Sequence, residues 1–201
     1  MTNHYYSKNP GTESNPMHWE FNLRNRTFRF KTDNGVFSKK EVDFGSRLLI
    51  EAFHLPDEPK GDILDLGCGY GPIGLSLAFA YPERKVDMAD VNSRAIQLAK
   101  ENAALNQIGN VHVFESDVYA GVTKKDYAAV LSNPPIRAGK QVVHEILSGS
   151  YERLAPGGEL WVVIQKKQGA ASAAAKMEEV FGNVETAAKK KGYLILVSKK
   201  N

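Results

Sequence analysis

Ser132-Asn133-Pro134-Pro135-Ile136 sets a carboxamide in front of two consecutive prolines. Each proline fixes its own φ and restricts the residue before it, so the backbone after Asn133 is stiff. The prolines lack N–H groups but keep their carbonyls. A rigid turn carrying an amide oxygen and a backbone carbonyl accepts both protons of an NH2 group. A nitrogen held that way is aimed for in-line attack on a methyl sulfonium, and positioning alone supplies much of the rate. No strong general base is needed, because the proton leaves after the nitrogen has become positive. Asn133, Pro134, Pro135 and Ile136 are therefore the catalytic candidates.

A second group of residues reads as a ligand cradle. In DILDLGCGYGPIG, Asp62 to Gly74, an apolar run enters a loop with Gly67, Gly69 and Gly71, and a helical pattern leaves it. Counted from Gly69, the letters also satisfy G-x-G-x-x-G, the dinucleotide fingerprint. The strand ends before Gly67, however, so the turn reads G-x-G-x-G. Asp65 stands two residues before the first glycine, where it repels a pyrophosphate and attracts an ammonium group. That favours a nucleoside amino acid over a dinucleotide. Asp90 closes the next strand in VDMADVN, where a carboxylate accepts hydrogen bonds from both ribose hydroxyls; Val91 and Asn92 follow it. Asp117 in FESDVY is an acceptor for adenine amino protons, with Val118 against the ring. Asn133 borders the same ligand.

These residues need a frame. From residue 60 onward the sequence alternates short apolar runs with helical periodicity. The strands are Asp62–Leu66, Lys85–Ala89, Val111–Glu115, Tyr127–Leu131 and Glu159–Ile164. The helices are Pro72–Ala80, Ser93–Asn106, Gln141–Leu154 and Gly169–Phe181, and two strands flank the Lys189–Gly192 turn. This order predicts an α/β, Rossmann-like fold with a mostly parallel seven-stranded sheet and an antiparallel C-terminal edge strand. Such sheets bind ligands beyond the carboxyl ends of their strands, where every motif above falls. Upstream, Trp19 to Phe30 alternates as a hairpin. Ser38 to His54 reads as a helix capped by Ser38. The division is an N-terminal arm and hairpin over 1–34 and a catalytic domain over 35–201.

The chain has 201 residues, enough for one well-buried domain. The single cysteine, Cys68, rules out an internal disulfide and a multi-cysteine zinc site, and fits a reducing cytoplasm. The five histidines are scattered, so no metal site is expected. The N-terminus has no signal-peptide pattern and no apolar run is long enough for a membrane. Lys and Arg exceed Asp and Glu by only 26 to 23. No motif sets the oligomeric state.

Together, the glycine loop, Asp90, Asp117 and NPPI resemble the class I methyltransferases that modify amines. GVFSKKEVDFGSRLLIE, Gly35 to Glu51, resembles the segment preceding the cofactor domain in small-subunit ribosomal RNA (guanine-N2) methyltransferases. The resemblance spans about residues 35 to 200. It implies S-adenosyl-L-methionine as cofactor, and ribosomal RNA or the small ribosomal subunit as partner. Two departures stand out. Family members carry two related domains, whereas this chain has room for one. Ile136 also stands where an aromatic often stacks on the target base. Stacking contributes about 1–3 kcal/mol per base, so Ile136 or Phe37 must serve instead.

Arg137 and Lys140 follow NPPI and suit backbone phosphates. Arg24, Arg26, Arg29 and Lys31, interleaved with Phe28 and Phe30, suit RNA and are expected to border the site. Lys189, Lys190 and Lys191 read as a solvated turn. An NPP loop accepts any planar amine, so a protein glutamine amide remains an alternative substrate. A non-catalytic RNA-binding protein that kept the fold is a third reading.

Overall fold

The computed structural model describes Lys8 and residues 11–201. Most of the expected N-terminal arm, residues 1–16, thus lies outside the described residues. β1 (Met17–Leu23) and β2 (Arg26–Thr32) form the expected hairpin. Arg24 and Asn25 turn it with φ of 49° and 60°, the left-handed pair that matches strand twist. Arg24 is fixed there by its own side chain, which donates to the carbonyls of Ile50 and Phe53.

The alternating pattern builds β3 (Ile63–Leu66), α2 (Pro72–Ala80), β4 (Val86–Asp90), α3 (Ser93–Leu105) and β5 (Val111–Glu115). Then come β6 (Tyr127–Ser132), α4 (Lys140–Arg153), β7 (Leu154–Gln165), α5 (Ala170–Phe181), β8 (Glu185–Lys190) and β9 (Tyr193–Lys199). The seven strands run in the order β5-β4-β3-β6-β7-β9-β8. All neighbours are parallel except β9, which is antiparallel to both β7 and β8. The antiparallel C-terminal edge expected from the sequence is present: β9 lies antiparallel inside it and β8, antiparallel to β9, is the edge strand. The reason is composition: Leu194 to Val197 is apolar on both faces, whereas ETAAKK tolerates water and its lysines blunt a free edge.

β3 and β6 are buried at every position, as central parallel strands with both faces covered must be. Alternate residues feed two cores. Ile63 and Leu131 pack with residues of α2, α3 and the hairpin, whereas Leu64 and Val130 pack with α4 and α5. Phe28 and Phe30 of β2 belong to the first core.

The helix expected from Ser38 begins later. Phe44–Ala52 (α1) is capped by Asp43, whose carboxylate accepts from Ser46 N at 3.0 Å. Ser38 instead has φ 52° and donates to the Glu41 carbonyl, within a turn over residues 37–40. Asp at the cap and a free N–H three residues later outcompete Ser38.

The hairpin is fastened by two asparagines four residues apart, Asn102 on α3 and Asn106 at its C-cap. Asn102 Oδ1 accepts from Lys31 N at 2.7 Å and its Nδ2 donates to Lys31 O at 3.0 Å. Asn106 pairs in the same way with Arg29 N and O. Two side chains thus replace a neighbouring strand along the outer edge of β2. Asn102 Nδ2 also donates to Tyr70 O in the glycine loop, at 2.9 Å.

Candidate active site

A cavity of about 840 Å³ opens at the carboxyl ends of β3, β4, β6 and β7. That is within the range of small-molecule sites. Its floor is the turn between β3 and α2. Gly67 and Gly69 line it with φ of 78° and 56°, and a Cβ on either would project into open space. The backbone conformation and the room for a ligand both call for glycine there. Gly71 serves packing instead: a Cβ there would stand 3.0 Å from Leu75 and Met88.

Asp90 lines the cavity at the end of β4. Its Oδ2 accepts from Gly69 N at 2.8 Å and its Oδ1 from Asn92 N at 2.9 Å. Burial pushes its carboxyl above the usual range, against the pull of these backbone donors. A carboxylate offers about four lone-pair sites, so it can still accept from a ligand. Val91 and Asn92 also line the cavity. Asn92 caps α3 and donates from Nδ2 to Gly35 O at 2.9 Å, which ties the segment after the hairpin to the end of β4.

Asp65 is not in the cavity wall. It lies fully buried beneath the loop, where Oδ2 accepts from Gly74 N at 2.8 Å and Oδ1 has no partner. Burial raises its pKa to about 7, opposed by the Gly74 bond and assisted by nearby Asp90. Cys68 touches the cavity, and burial and the charges of Asp90 and Asp65 push its thiol well up. Asp117 and Val118 form the wall beyond β5. Val118 has φ 46°, unusual for a β-branched residue, and Ser116 Oγ donates to its carbonyl at 2.7 Å.

Asn133, Pro134, Pro135, Ile136 and Arg137 line the wall opposite. Asn133 Nδ2 donates to Asp43 Oδ2 at 3.2 Å and to Ser46 Oγ at 3.0 Å. A carboxylate only accepts, so this fixes which end of the carboxamide is which. Pro135 O accepts from Ala138 N at 2.8 Å in a short turn over Ile136–Ala138. Asp43 and Ser46, both in the cavity lining, were missed in the sequence. The D-F-G-S spacing is a capping signal, and nothing in it points to Asn133 ninety residues away.

Phe37 lines the mouth and is 45% exposed, Ile136 is half-buried, and Tyr193 and Gln165 close the far side. Lys140 opens α4, exposed and outside the lining. Arg24, Arg26, Arg29 and Lys31 do not border the cavity, contrary to expectation. Arg24 holds the turn, Arg26 lies 4.0 Å from the Phe79 ring centre, and Arg29 and Lys31 pair with Glu20 and Glu101. Their charges secure the hairpin. Among the described residues there is no cluster able to hold a metal and no helix long and apolar enough to cross a membrane.

The family described as "Methyltransferase small domain" matches residues 27–197. The chain belongs to this family. Among its relatives is the "Uncharacterized protein YbxB" of Bacillus subtilis (strain 168), 56% identical over 201 residues, the full length of both chains. "Ribosomal RNA small subunit methyltransferase C" of Mannheimia succiniciproducens is 38% identical over 133 residues, 64% of this chain and 39% of that protein. Among solved structures, a T. thermophilus 16S rRNA N2 guanine methyltransferase (RsmC), in complex with AdoMet and guanosine, superposes with TM-score 0.83. It is 25% identical over 96% of this chain and 52% of that one. The chain thus spans about half or less of the length of these rRNA methyltransferases. The residues present fit S-adenosylmethionine: an open glycine cradle and a carboxylate with lone pairs to spare both face the cavity.

Proposed function

We propose that this small-domain methyltransferase transfers a methyl group from S-adenosylmethionine to the exocyclic N2 amine of a guanine in small-subunit ribosomal RNA. One observation carries the chemistry. Asp43 and Ser46 hold the Asn133 carboxamide by its nitrogen, which leaves Oδ1 as the acceptor for a substrate amine. Pro134 O, on the same stiff turn, is the second acceptor. Bound S-adenosylmethionine supplies an electrophilic methyl group. Asp90 holds its ribose hydroxyls, Gly67 and Gly69 admit its backbone-facing side, and Asp117 with Val118 borders the adenine. Asp65 lies beneath the loop and holds it through Gly74 N. Phe37 and Ile136 flank the amine's ring, and Arg137 and Lys140 meet phosphate.

The T. thermophilus neighbour's name and its bound guanosine support guanine N2 as the target, and the Mannheimia relative's name supports small-subunit ribosomal RNA. The hairpin's contribution is to carry residues 36–38 to the cavity mouth, so we read 1–34 as an extension serving the domain over 35–201. An RNA substrate of this kind places the enzyme's work in the cytoplasm.

The test is incubation with labelled S-adenosylmethionine and unmethylated small-subunit particles, followed by digestion to nucleosides. N2-methylguanosine is expected. Label in protein instead of nucleosides would favour a glutamine amide. No label in either, despite cofactor binding, would refute the RNA reading.

A further inference from the structure

Two groups of lysines far apart in the sequence meet at one corner of the sheet. β7 and β9 pair Gln165 with Tyr193, β8 and β9 pair Lys190 with Tyr193, and Lys166 N donates to Gly192 O at 2.7 Å. Lys166, followed by Lys167, therefore lies against the β8–β9 turn, which is Lys191–Gly192 rather than the expected Lys189–Gly192, with Lys189 and Lys190 ending β8. All five are exposed, and among the described residues none forms an ion pair. Lys191 Nζ stands 5.1 Å from the ring centre of Phe44, the residue after Asp43. Gln165, Gln168 and Tyr193 belong to the cavity lining. The corner is thus one lip of the active site.

We propose that these five lysines form the track that holds the phosphate backbone of the RNA whose base enters the cavity. The proposal rests on the RNA reading above. Like charges gathered without counter-charges repel one another, so the arrangement is favourable only against a polyanion. Flexible ammonium groups suit phosphates, which fix register, rather than base edges. The turn read as merely solvated in the sequence becomes a surface once the β7–β9 register adds Lys166 and Lys167.

The experiment uses the full chain and a small-subunit rRNA transcript. Lys189, Lys190 and Lys191 are changed together to Gln, which stays polar on an edge strand; Lys166 and Lys167 form a second variant. A control changes Lys85, Lys100 and Lys125 to Gln, with equal loss of charge away from the lip. The triple lip variant should bind RNA on the order of 10-fold more weakly, with the slope of log K against log salt reduced by about 2, near 0.7 per lost phosphate contact. KM for RNA should rise while turnover at saturating RNA and cofactor affinity stay as in the wild type. Equal weakening in the control, or unchanged RNA affinity in the lip variants, overturns the proposal. So does lysine-dependent binding to phosphatidylserine vesicles in preference to RNA. A wild-type protein that neither binds nor methylates RNA removes the RNA reading itself. Methylation with lip variants binding normally removes only the track.

Discussion

Asn133 Nδ2 lies 3.2 Å from Asp43 Oδ2, so the N-cap of α1 and the Asn133-Pro134-Pro135 loop share one carboxylate. The consequence is a rotationally locked carboxamide. Asn133→Ala should cut turnover on the order of 100-fold, the scale of a misplaced reacting group. Ser46→Ala removes one of the two anchors and leaves the cap intact, so about a 10-fold loss is expected. Asp43→Ala should fall between them and also cost about 1 kcal/mol of stability. Calorimetry with S-adenosylhomocysteine should show cofactor affinity nearly unchanged in the first two. If turnover in Ser46→Ala matches the wild type, the lock has no catalytic role.

Asp90→Ala should weaken cofactor binding at least about tenfold, since two hydrogen bonds to a charged group are lost at about 1.5–3 kcal/mol each. Titration calorimetry on a variant that still unfolds cooperatively reads this directly. Wild-type affinity would show that the ribose is held elsewhere.

Asn102→Ala leaves Lys31 N and the carbonyls of Lys31 and Tyr70 without their partner inside the protein. A loss of about 1–3 kcal/mol is expected for a buried group left unsatisfied, seen as a lower urea midpoint at unchanged slope. Cofactor affinity should drop as well, because Tyr70 belongs to the glycine loop. A variant that loses stability but binds cofactor normally would uncouple the hairpin from the loop.

Asp65 has a folded-state pKa of about 7, against about 3.9 when unfolded. Between those values the native state holds more protons than the unfolded state, so this residue's contribution to stability declines as pH rises. Asp65→Asn keeps an acceptor for Gly74 N and removes the titration. The melting temperature of the variant relative to wild type should therefore climb from pH 4.5 to pH 7.5. A difference that is flat with pH would mean that Asp65 is ionised throughout.

Strand and helix order was legible because each parallel strand is an apolar run between turn residues, and the positions of Gly67, Asp90 and Asn133 follow from strand ends. What the sequence hid were the residues whose partners are distant. The sequence points to Ser38 as the cap, and only the geometry at Ser46 shows that Asp43 holds that place. Asn102 and Asn106 read as indifferent helix residues, yet they serve as strand partners. Basic residues on the hairpin suggested RNA, but aromatic rings, carbonyls and carboxylates absorb them locally. The lysines of the lip became a group only through strand register.

β9 sits between β7 and β8 although it is the final strand of the sheet. During synthesis, Trp161 to Ile164 of β7 must therefore wait with an unpaired apolar edge until Tyr193 to Lys199 have emerged. Exposed edges of that kind invite pairing with other chains. The cofactor half, β3 to β5, has its strands complete long before. The nascent chain thus forms the glycine-loop side of the cavity first and gains the Tyr193 wall last, so a polypeptide halted just short of that strand would be sticky and its cavity unfinished.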